Sequence, residues 1–400
     1  MHSPLHNANW RRLWALPVLS LLAASCDTGG GEPPPEPPPP PGPRLVYLWS
    51  GAHMEASHAA PRPTPEDTPG GPLLLDAGNH DLVAFRADTG EEAWRSRIDD
   101  TFVFTGWSLL ADGEQAYGVH FDHDEGRTCS IRAWSLSDGT ETWRRESRGC
   151  ISGPNVFSDL AQNEETAFAV TGPEVEPHGV LAYAKADGRL LWRSDLNVGR
   201  NSTSLAHGDG RIYASSAYGP SDDPTTLITA LDPATGTILW EFSTGRGKRY
   251  GPVQVLDGVL YQGTGTESGS LFALDAATGT ELWAIDGRTE SWSVTEERVY
   301  GTHPTGLYAV DRRTGEELWR MSYGIGTVSN AALEHGGYLY HFSRAGATVL
   351  NPNTGEILHQ EASPDGSAFR KGASVAHGRI YAQTGAHVYA IEGFDPAEAP

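Results

Sequence analysis

Eight cations follow the tryptophan-terminated segments of this chain: Arg148, Arg200, Arg246, Lys248, Arg249, Arg288, Arg370 and Lys371. The 400-residue chain carries a formal net charge of −22. Gathered on one face, such cations would focus an anionic ligand or an acidic peptide. The alternative is a set of solvated loop charges, interrupted as they are by Glu290 and Asp365. Residues 120–126 bring His120, Asp122, His123, Asp124 and Glu125 close together ahead of Gly126. Asp-x-Asp-x-Gly is only the beginning of a calcium loop, and no acidic closer follows, so a solvated acidic loop is the favoured reading. His207, His335 and His377 recur just before tight turns, where turn packing explains them better than catalysis. There is no G-x-S-x-G, no Walker loop, no H-E-x-x-H and no paired-cysteine zinc motif, so no catalytic residue and no metal site is assigned.

The elements that must position these residues are written in a repeat. The phrase Ala-x-Asp-x-x-Thr-Gly-x-x-x-Trp spans residues 230–240, 273–283 and 309–319. Looser copies end at Trp94, Trp143 and Trp192, and a seventh ends at His359 where Trp is expected. Before each turn, apolar and polar residues alternate with strand periodicity. The Asp side chain can accept from the next backbone amides, and the Gly supplies a positive φ at little steric cost. The turn glycines, Gly90, Gly139, Gly188, Gly236, Gly279, Gly315 and Gly355, are spaced 36 to 49 residues apart. That is about the length of a four-stranded propeller blade. Strand–turn–strand segments upstream of the phrases, as at 204–214, 253–261 and 374–382, supply two further strands per unit.

The predicted fold is all-β: an eight-bladed β-propeller of four-stranded antiparallel blades, lettered A to D from the inside outwards. The eighth blade is split. Residues 372–376, 379–383 and 387–392 give strands A, B and C, and residues 44–49 give a lone D strand ending in Trp49. Joining them closes the ring and removes two exposed sheet edges. A seven-bladed ring with a frayed end is the alternative. In this topology the D–A connections, which hold the eight cations, share a face with the B–C loops, and the Thr-Gly turns lie on the other face.

Four segments are expected: residues 1–25 as a signal peptide, 26–43 as a tether, 44–393 as one propeller and 394–400 as a tail. Arg11 and Arg12 precede the apolar run 13–24, the order of an export signal. The Gly/Pro-rich segment 27–43 cannot build a core and reads as an extended spacer. Cys129 and Cys150 flank the open end of one predicted hairpin, so a disulfide between them is expected in an exported protein. Two unpaired thiols or a metal pair are the alternatives. The acidic balance argues against duplex nucleic acid as a partner. It also argues against tight binding to anionic lipid.

Two resemblances follow from these residues. Leu22 to Ser25 followed by a lone Cys26 resembles a bacterial lipoprotein signal, which implies lipidation at Cys26. The repeated phrase resembles the tryptophan-docking repeat of the PQQ-type (pyrroloquinoline quinone) β-propellers. The resemblance implies that Trp94, Trp143, Trp192, Trp240, Trp283 and Trp319 dock onto neighbouring blades. One branch of that family, the quinoprotein alcohol dehydrogenases, binds PQQ and calcium, uses an Asp base and carries a disulfide of adjacent cysteines. This chain has no adjacent Cys pair. A second branch holds non-enzymatic lipoproteins, among them the propeller subunit of the outer-membrane β-barrel assembly machine. The expectation is therefore a monomeric, membrane-tethered propeller of the cell envelope that binds a protein partner through its basic mouth and takes no cofactor. The runner-up is a periplasmic PQQ-dependent alcohol or sugar dehydrogenase.

Overall fold

A computed structural model describes residues 43–52, 61–78, 81–97, 102–122, 128–148, 160–171, 179–194, 196, 201–218, 225–245, 249–287, 289, 291–303, 306–322 and 330–396. These form eight four-stranded antiparallel sheets arranged as the blades of one propeller. Blade 1 is Arg62–Pro63, Leu73–Ala77, Asp81–Arg86 and Glu92–Arg97. Blade 2 is Phe102–Ala111, Gln115–Asp122, Thr128–Ser135 and Glu141–Arg148. Blade 3 is Leu160–Gln162, Thr166–Thr171, Gly179–Ala184 and Leu190–Arg193, and blade 4 is Asn201–Gly208, Arg211–Tyr218, Thr225–Leu231 and Ile238–Ser243. Blade 5 is Arg249–Leu256, Val259–Thr264, Ser270–Asp275 and Glu281–Asp286, and blade 6 is Ser291–Val294, Arg298–His303, Gly306–Asp311 and Glu317–Ser322. Blade 7 is Leu333–His335, Tyr338–Ser343, Gly346–Leu350 and Ile357–Glu361.

Blade 8 joins the two ends of the propeller. Arg370–Ala376, Arg379–Gln383 and His387–Asp395 are strands A to C, and Arg44–Ala52 is strand D, paired antiparallel from Arg44↔Asp395 to Ala52↔His387. The expected split blade is present, with both strands three residues longer than the periodicity marked. The eight-bladed ring stands, and the seven-bladed alternative falls with it.

The Thr-Gly turns fold as the phrase requires. In blade 5 the Asp275 carboxylate accepts from Thr278 N and Thr278 Oγ1 (both 2.8 Å), and Gly279 N donates to Asp275 O (2.8 Å). Gly279 takes φ +73°, a conformation that favours a residue without Cβ. The core lies between blades rather than in one centre. Leu75, Ala84 and Trp94 of blade 1 pack with Ala116 and Trp134 of blade 2, and Val83 and Phe85 of blade 1 pack with Tyr381 and Val388 of blade 8. Each sheet thus buries both faces against its neighbours.

Candidate functional site

Seven docking seats hold the ring. Each Trp of strand D stands opposite a small residue of strand C, as Ala84↔Trp94, Ala133↔Trp143 and Ala273↔Trp283. Its ring lies on the turn Gly of the next blade. A Cβ added to Gly139 would be 2.4 Å from Trp94, and one added to Gly315 would be 2.8 Å from Trp283. Its indole N–H donates to the backbone carbonyl three residues before that Gly: Trp94 to Leu136 (2.7 Å), Trp143 to Lys185 (2.7 Å), Trp192 to Pro233 (2.9 Å), Trp240 to Ala276 (3.2 Å), Trp283 to Arg312 (3.0 Å) and Trp319 to Pro352 (2.8 Å). All six tryptophans singled out by the repeat sit at such seats. A seventh, which the sequence reading placed only as the end of a strand, is Trp49. It donates to Ala87 O (3.0 Å) and covers Gly90. Its signal was present, since Leu48-Trp49 ends strand D as the repeats do.

His359 occupies the eighth place because blade 8 has no Thr-Gly turn to receive an indole. The imidazole stacks on Phe394 (centroids 5.6 Å apart, 28°), and its Nε2 lies 2.8 Å from Glu361 Oε2. That same carboxylate oxygen accepts from Leu45 N (3.1 Å), tying blade 7 to the N-terminal strand.

Two buried cations reinforce the turn face. Lys185 Nζ lies 3.0 Å from Asp112 Oδ2 and 5.4 Å from the centroid of Tyr117. Burial opposes ionisation of Asp112, but the Gln115 and Glu114 amides and the Lys185 ammonium outweigh it and lower its pKa. Arg312 is 3.1 Å from Asp257 Oδ2 and is only 7% exposed, although its turn position reads as solvent-facing.

The central channel is lined from all eight blades and has a volume of about 610 Å³. Its walls are mostly apolar, with Leu110, Leu160, Leu205, Val253 and Ala331 among them. Polar side chains at the wall hold neighbouring blades together. Arg62 donates to Leu109 O (2.9 Å), Gln162 to Ala111 O (2.8 Å), Gln254 to Trp292 O (2.9 Å) and Ser374 to Pro61 O (3.0 Å), and Ser293 donates to Ala332 O. The described lining contains no carboxylate, and among the described residues no three His, Cys, Asp or Glu side chains meet as metal ligands would. Calcium takes six to eight oxygens, carboxylates prominent among them. The described channel residues therefore do not fit a quinone–calcium pair.

On the face opposite the Thr-Gly turns, the structure places the backbones of Arg148, at the end of a D strand, and of Arg249, Arg370 and Lys371, at the start of A strands. Arg370 is exposed. The side chains of Arg148, Arg249 and Lys371, and Arg200, Arg246, Lys248, Arg288 and Glu290 entirely, lie outside the described residues. Asp365 does not interrupt this face as a free acid. It accepts from Thr384 Oγ1 (2.7 Å), Ser363 Oγ (3.0 Å) and Ser367 N (2.9 Å) and lies 3.0 Å from His387 Nδ1. Burial works against its ionisation, but hydrogen bonds led by those from His387 and Thr384 hold it well below the usual carboxylate range. No motif marks this network in the amino-acid pattern. Cys129 stands opposite Ser147 in the strand ladder, while Cys150, Cys26 and residues 123–127 lie outside the described residues. His335 and His377 pack at turns as expected: His377 Nε2 lies 2.7 Å from Thr64 O across the seam to blade 1, and its Nδ1 lies 3.0 Å from Tyr381 Oη.

Eight blades, Thr-Gly turns and seven docked indoles define a PQQ-repeat β-propeller. A family model described as outer membrane protein assembly factor BamB matches residues 48–219, 176–296 and 224–393, and the chain belongs to that family. Among solved structures, BamB from Moraxella catarrhalis aligns with a TM-score of 0.63 at 18% identity over 87% of this chain and 100% of that one. The quinohemoprotein alcohol dehydrogenase from Comamonas testosteroni aligns with a TM-score of 0.63 at 13% identity over 89% of this chain and 77% of its own. The computationally designed Ika8 protein aligns with a TM-score of 0.66 at 14% identity, covering 88% of this chain and 99% of its own. At these identities the structural likenesses establish the fold alone. Among curated proteins no sequence match is found.

Proposed function

We propose that this protein is a lipid-tethered propeller of the cell envelope that serves as a protein-interaction scaffold in outer-membrane protein assembly. The observation that carries the reading is the BamB family match, which runs from residue 48 to 393 and so covers every blade. The channel supports it, because its described lining includes no carboxylate and its Arg62, Gln162, Gln254 and Ser374 side chains join neighbouring blades. On this reading residues 1–25 direct export, Cys26 carries the lipid, residues 26–43 hold the propeller off the membrane, and a disulfide joins Cys129 to Cys150. The working molecule is a monomer. A partner binds the face where Arg148, Arg200, Arg246, Lys248, Arg249, Arg288, Arg370 and Lys371 gather, and nucleic acid is not a ligand.

The test is crosslinking in native membranes followed by identification of captured proteins, with labelled palmitate as a second readout. Outer-membrane assembly components should be captured, and palmitate should enter the wild type and not a Cys26→Ala variant. Capture of no envelope protein overturns the scaffold reading, and equal labelling of both forms overturns the anchor. The competing reading, a PQQ-dependent dehydrogenase, draws on the fold shared with the quinohemoprotein alcohol dehydrogenase. It requires dye-linked alcohol or sugar oxidation by the purified chain with PQQ and Ca²⁺, and no such activity is expected.

A further inference from the structure

The connection from blade 7 to blade 8 and the B–C turns of both blades lie on the face opposite the Thr-Gly turns, and the structure describes all three. Each B–C turn is a two-residue hairpin. In blade 7 it is Arg344-Ala345, between the paired residues Ser343 and Gly346, and Ala345 N donates to Ser343 Oγ (3.2 Å). In blade 8 it is Gly385-Ala386, closed by Thr384 N donating to His387 O (2.8 Å). Arg344 stands at the tip of the first turn and is not among the eight cations assigned to the D–A connections.

Arg370 reaches the second turn from strand A. A Cβ added to Gly385 would lie 3.3 Å from its Nε, Cζ and Nη2 alike. Three guanidinium atoms equidistant from one point place the plane of the group flat over the turn, which leaves its N–H edge uncovered. The turn beneath is braced by Asp365 of the connection. Asp365 Oδ2 accepts from Thr384 Oγ1 (2.7 Å) and lies 3.0 Å from His387 Nδ1, so it holds both ends of the turn. Its Oδ1 accepts from Ser363 Oγ (3.0 Å) and Ser367 N (2.9 Å). Glu361, where the connection begins, is held by Leu45 N and His359. Both carboxylates of this corner are thus engaged, and neither pairs with an arginine. Arg344 and Arg370 are exposed and, among the described residues, make no ion pair or side-chain hydrogen bond. By contrast, Arg95, Arg144, Arg298, Arg312 and Arg320 each pair with an acid.

We propose that Arg344 and Arg370 form a site for the carboxylates of an acidic segment presented by a protein partner; the inference rests on the scaffold reading above and narrows its basic face to one corner. A guanidinium edge binds a carboxylate through paired, charge-assisted hydrogen bonds. Arg370 lies in place before the ligand arrives, so little side-chain freedom is lost on binding. Two guanidiniums on turns of adjacent blades suit a ligand that repeats its charge along an extended chain. The net charge of −22 argues against duplex nucleic acid and anionic lipid as that ligand. It also opposes an acidic segment at long range, but physiological salt screens that opposition beyond about 8 Å. Contact at the two guanidiniums then decides binding.

The test titrates the purified full chain with two blocked hexapeptides, all glutamate and all glutamine, by ligand-observed NMR, with inorganic phosphate as a third probe. The glutamate peptide should bind saturably, and the glutamine peptide about tenfold more weakly. Arg344→Gln and Arg370→Gln should each weaken the glutamate peptide about three- to tenfold. Arg189→Gln, exposed on the turn face, should not. Asp365→Asn separates a braced site from scattered charge. It removes a negative charge, so scattered charge predicts tighter binding, whereas loss of the brace predicts weaker binding. Gly385→Val, whose side chain takes the place of the guanidinium, should weaken the peptide as well. Thermal midpoints near wild type establish that each variant is folded. Equal binding of the two peptides, no saturable binding, tighter binding of phosphate than of the glutamate peptide, or unchanged affinity in either arginine variant overturns the site. So does unchanged or tighter binding in Gly385→Val or in folded Asp365→Asn. Membrane crosslinking is read separately. A chain that captures envelope proteins but binds no glutamate peptide overturns the site alone, and one that binds the peptide but captures nothing overturns the scaffold reading alone.

Discussion

Trp283 and Gly315 form the docking seat where the physics can be measured most directly. Trp283 is 8% exposed, its ring rests on Gly315 and its N–H reaches Arg312 O at 3.0 Å. Replacing it with Ala empties the seat and should destabilise the protein by about 3–5 kcal/mol. Trp283→Phe keeps much of the packing but leaves the Arg312 carbonyl without its donor, which should cost about 1–3 kcal/mol. Gly315→Ala acts from the other side. Its φ of +71° disfavours Ala by about 1–2 kcal/mol. The new Cβ would also lie 2.8 Å from the Trp283 ring, and relieving that overlap should add about 1–3 kcal/mol. The overlap disappears once the ring is gone. The double variant should therefore be more stable than the sum of the single losses predicts, by about 1–3 kcal/mol. Guanidinium unfolding followed by far-UV circular dichroism, run on all four chains of the cycle, measures this coupling. Strictly additive losses, or an unchanged midpoint for Trp283→Ala, would refute the docking account.

Further outcomes are expected elsewhere. Burial pushes the His341 imidazole down to about 4, only partly offset by a hydrogen bond that it donates to the Asn330 backbone carbonyl. The unfolded chain takes up this proton first as pH falls below about 6.5, so stability should drop by about 3 kcal/mol between pH 7 and pH 4 on this account. Unfolding of His341→Gln over that range should show a correspondingly smaller loss. Lys185→Ala leaves the Asp112 carboxylate half-buried without its partner and should cost about 2 kcal/mol, while Lys185→Arg should recover part of it; both are read by urea midpoints. Reversing Arg246, Lys248 and Arg249 to Glu should weaken capture of an acidic partner, more so at low salt. Arg313→Glu on the turn face is the control, read by the same pull-down. Arg312 cannot serve as one, because its guanidinium is buried against Asp257.

The fold was legible because every blade repeats the same local problem. A strand must end, turn on a glycine and return with an indole, and each requirement leaves a residue at a fixed place. Even the split blade showed in the sequence, as three strands at one end and one at the other. What stayed hidden depends on pairs of blades. Nothing in the turn around Arg312 says that it is buried; the acid that holds it, Asp257, comes from the A–B turn of the preceding blade. Likewise Asp365 reads as a loop acid until His387 and Thr384 of the next blade close on it. The basic mouth was read from topology alone; the structure places the backbones of Arg148, Arg249, Arg370 and Lys371 at strand ends, and the rest of the cluster lies outside the described residues.

The substitution of His359 for Trp has a structural cause. A docking indole needs a glycine turn from the following blade, and the blade that closes the ring spends that position on its two chain ends. The closing strands run past the place where the turn would be, pairing Arg44 with Asp395, and Gly393 contributes no side chain to the gap. Closure by the termini therefore exchanges one Trp seat for the Glu361–Leu45 tie, and Tyr340 stays buried with its Oη accepting from Phe394 N (2.9 Å). Seven seams are closed by an indole, whereas among the described residues the eighth is closed by His359 stacked on Phe394 and by the Phe394–Tyr340 hydrogen bond. A propeller closed in this way acquires a distinct edge in an otherwise repetitive ring. That edge lies beside Arg44, the first residue of the closing strand, so the one seam built differently from the rest is the one that joins the two ends of the propeller.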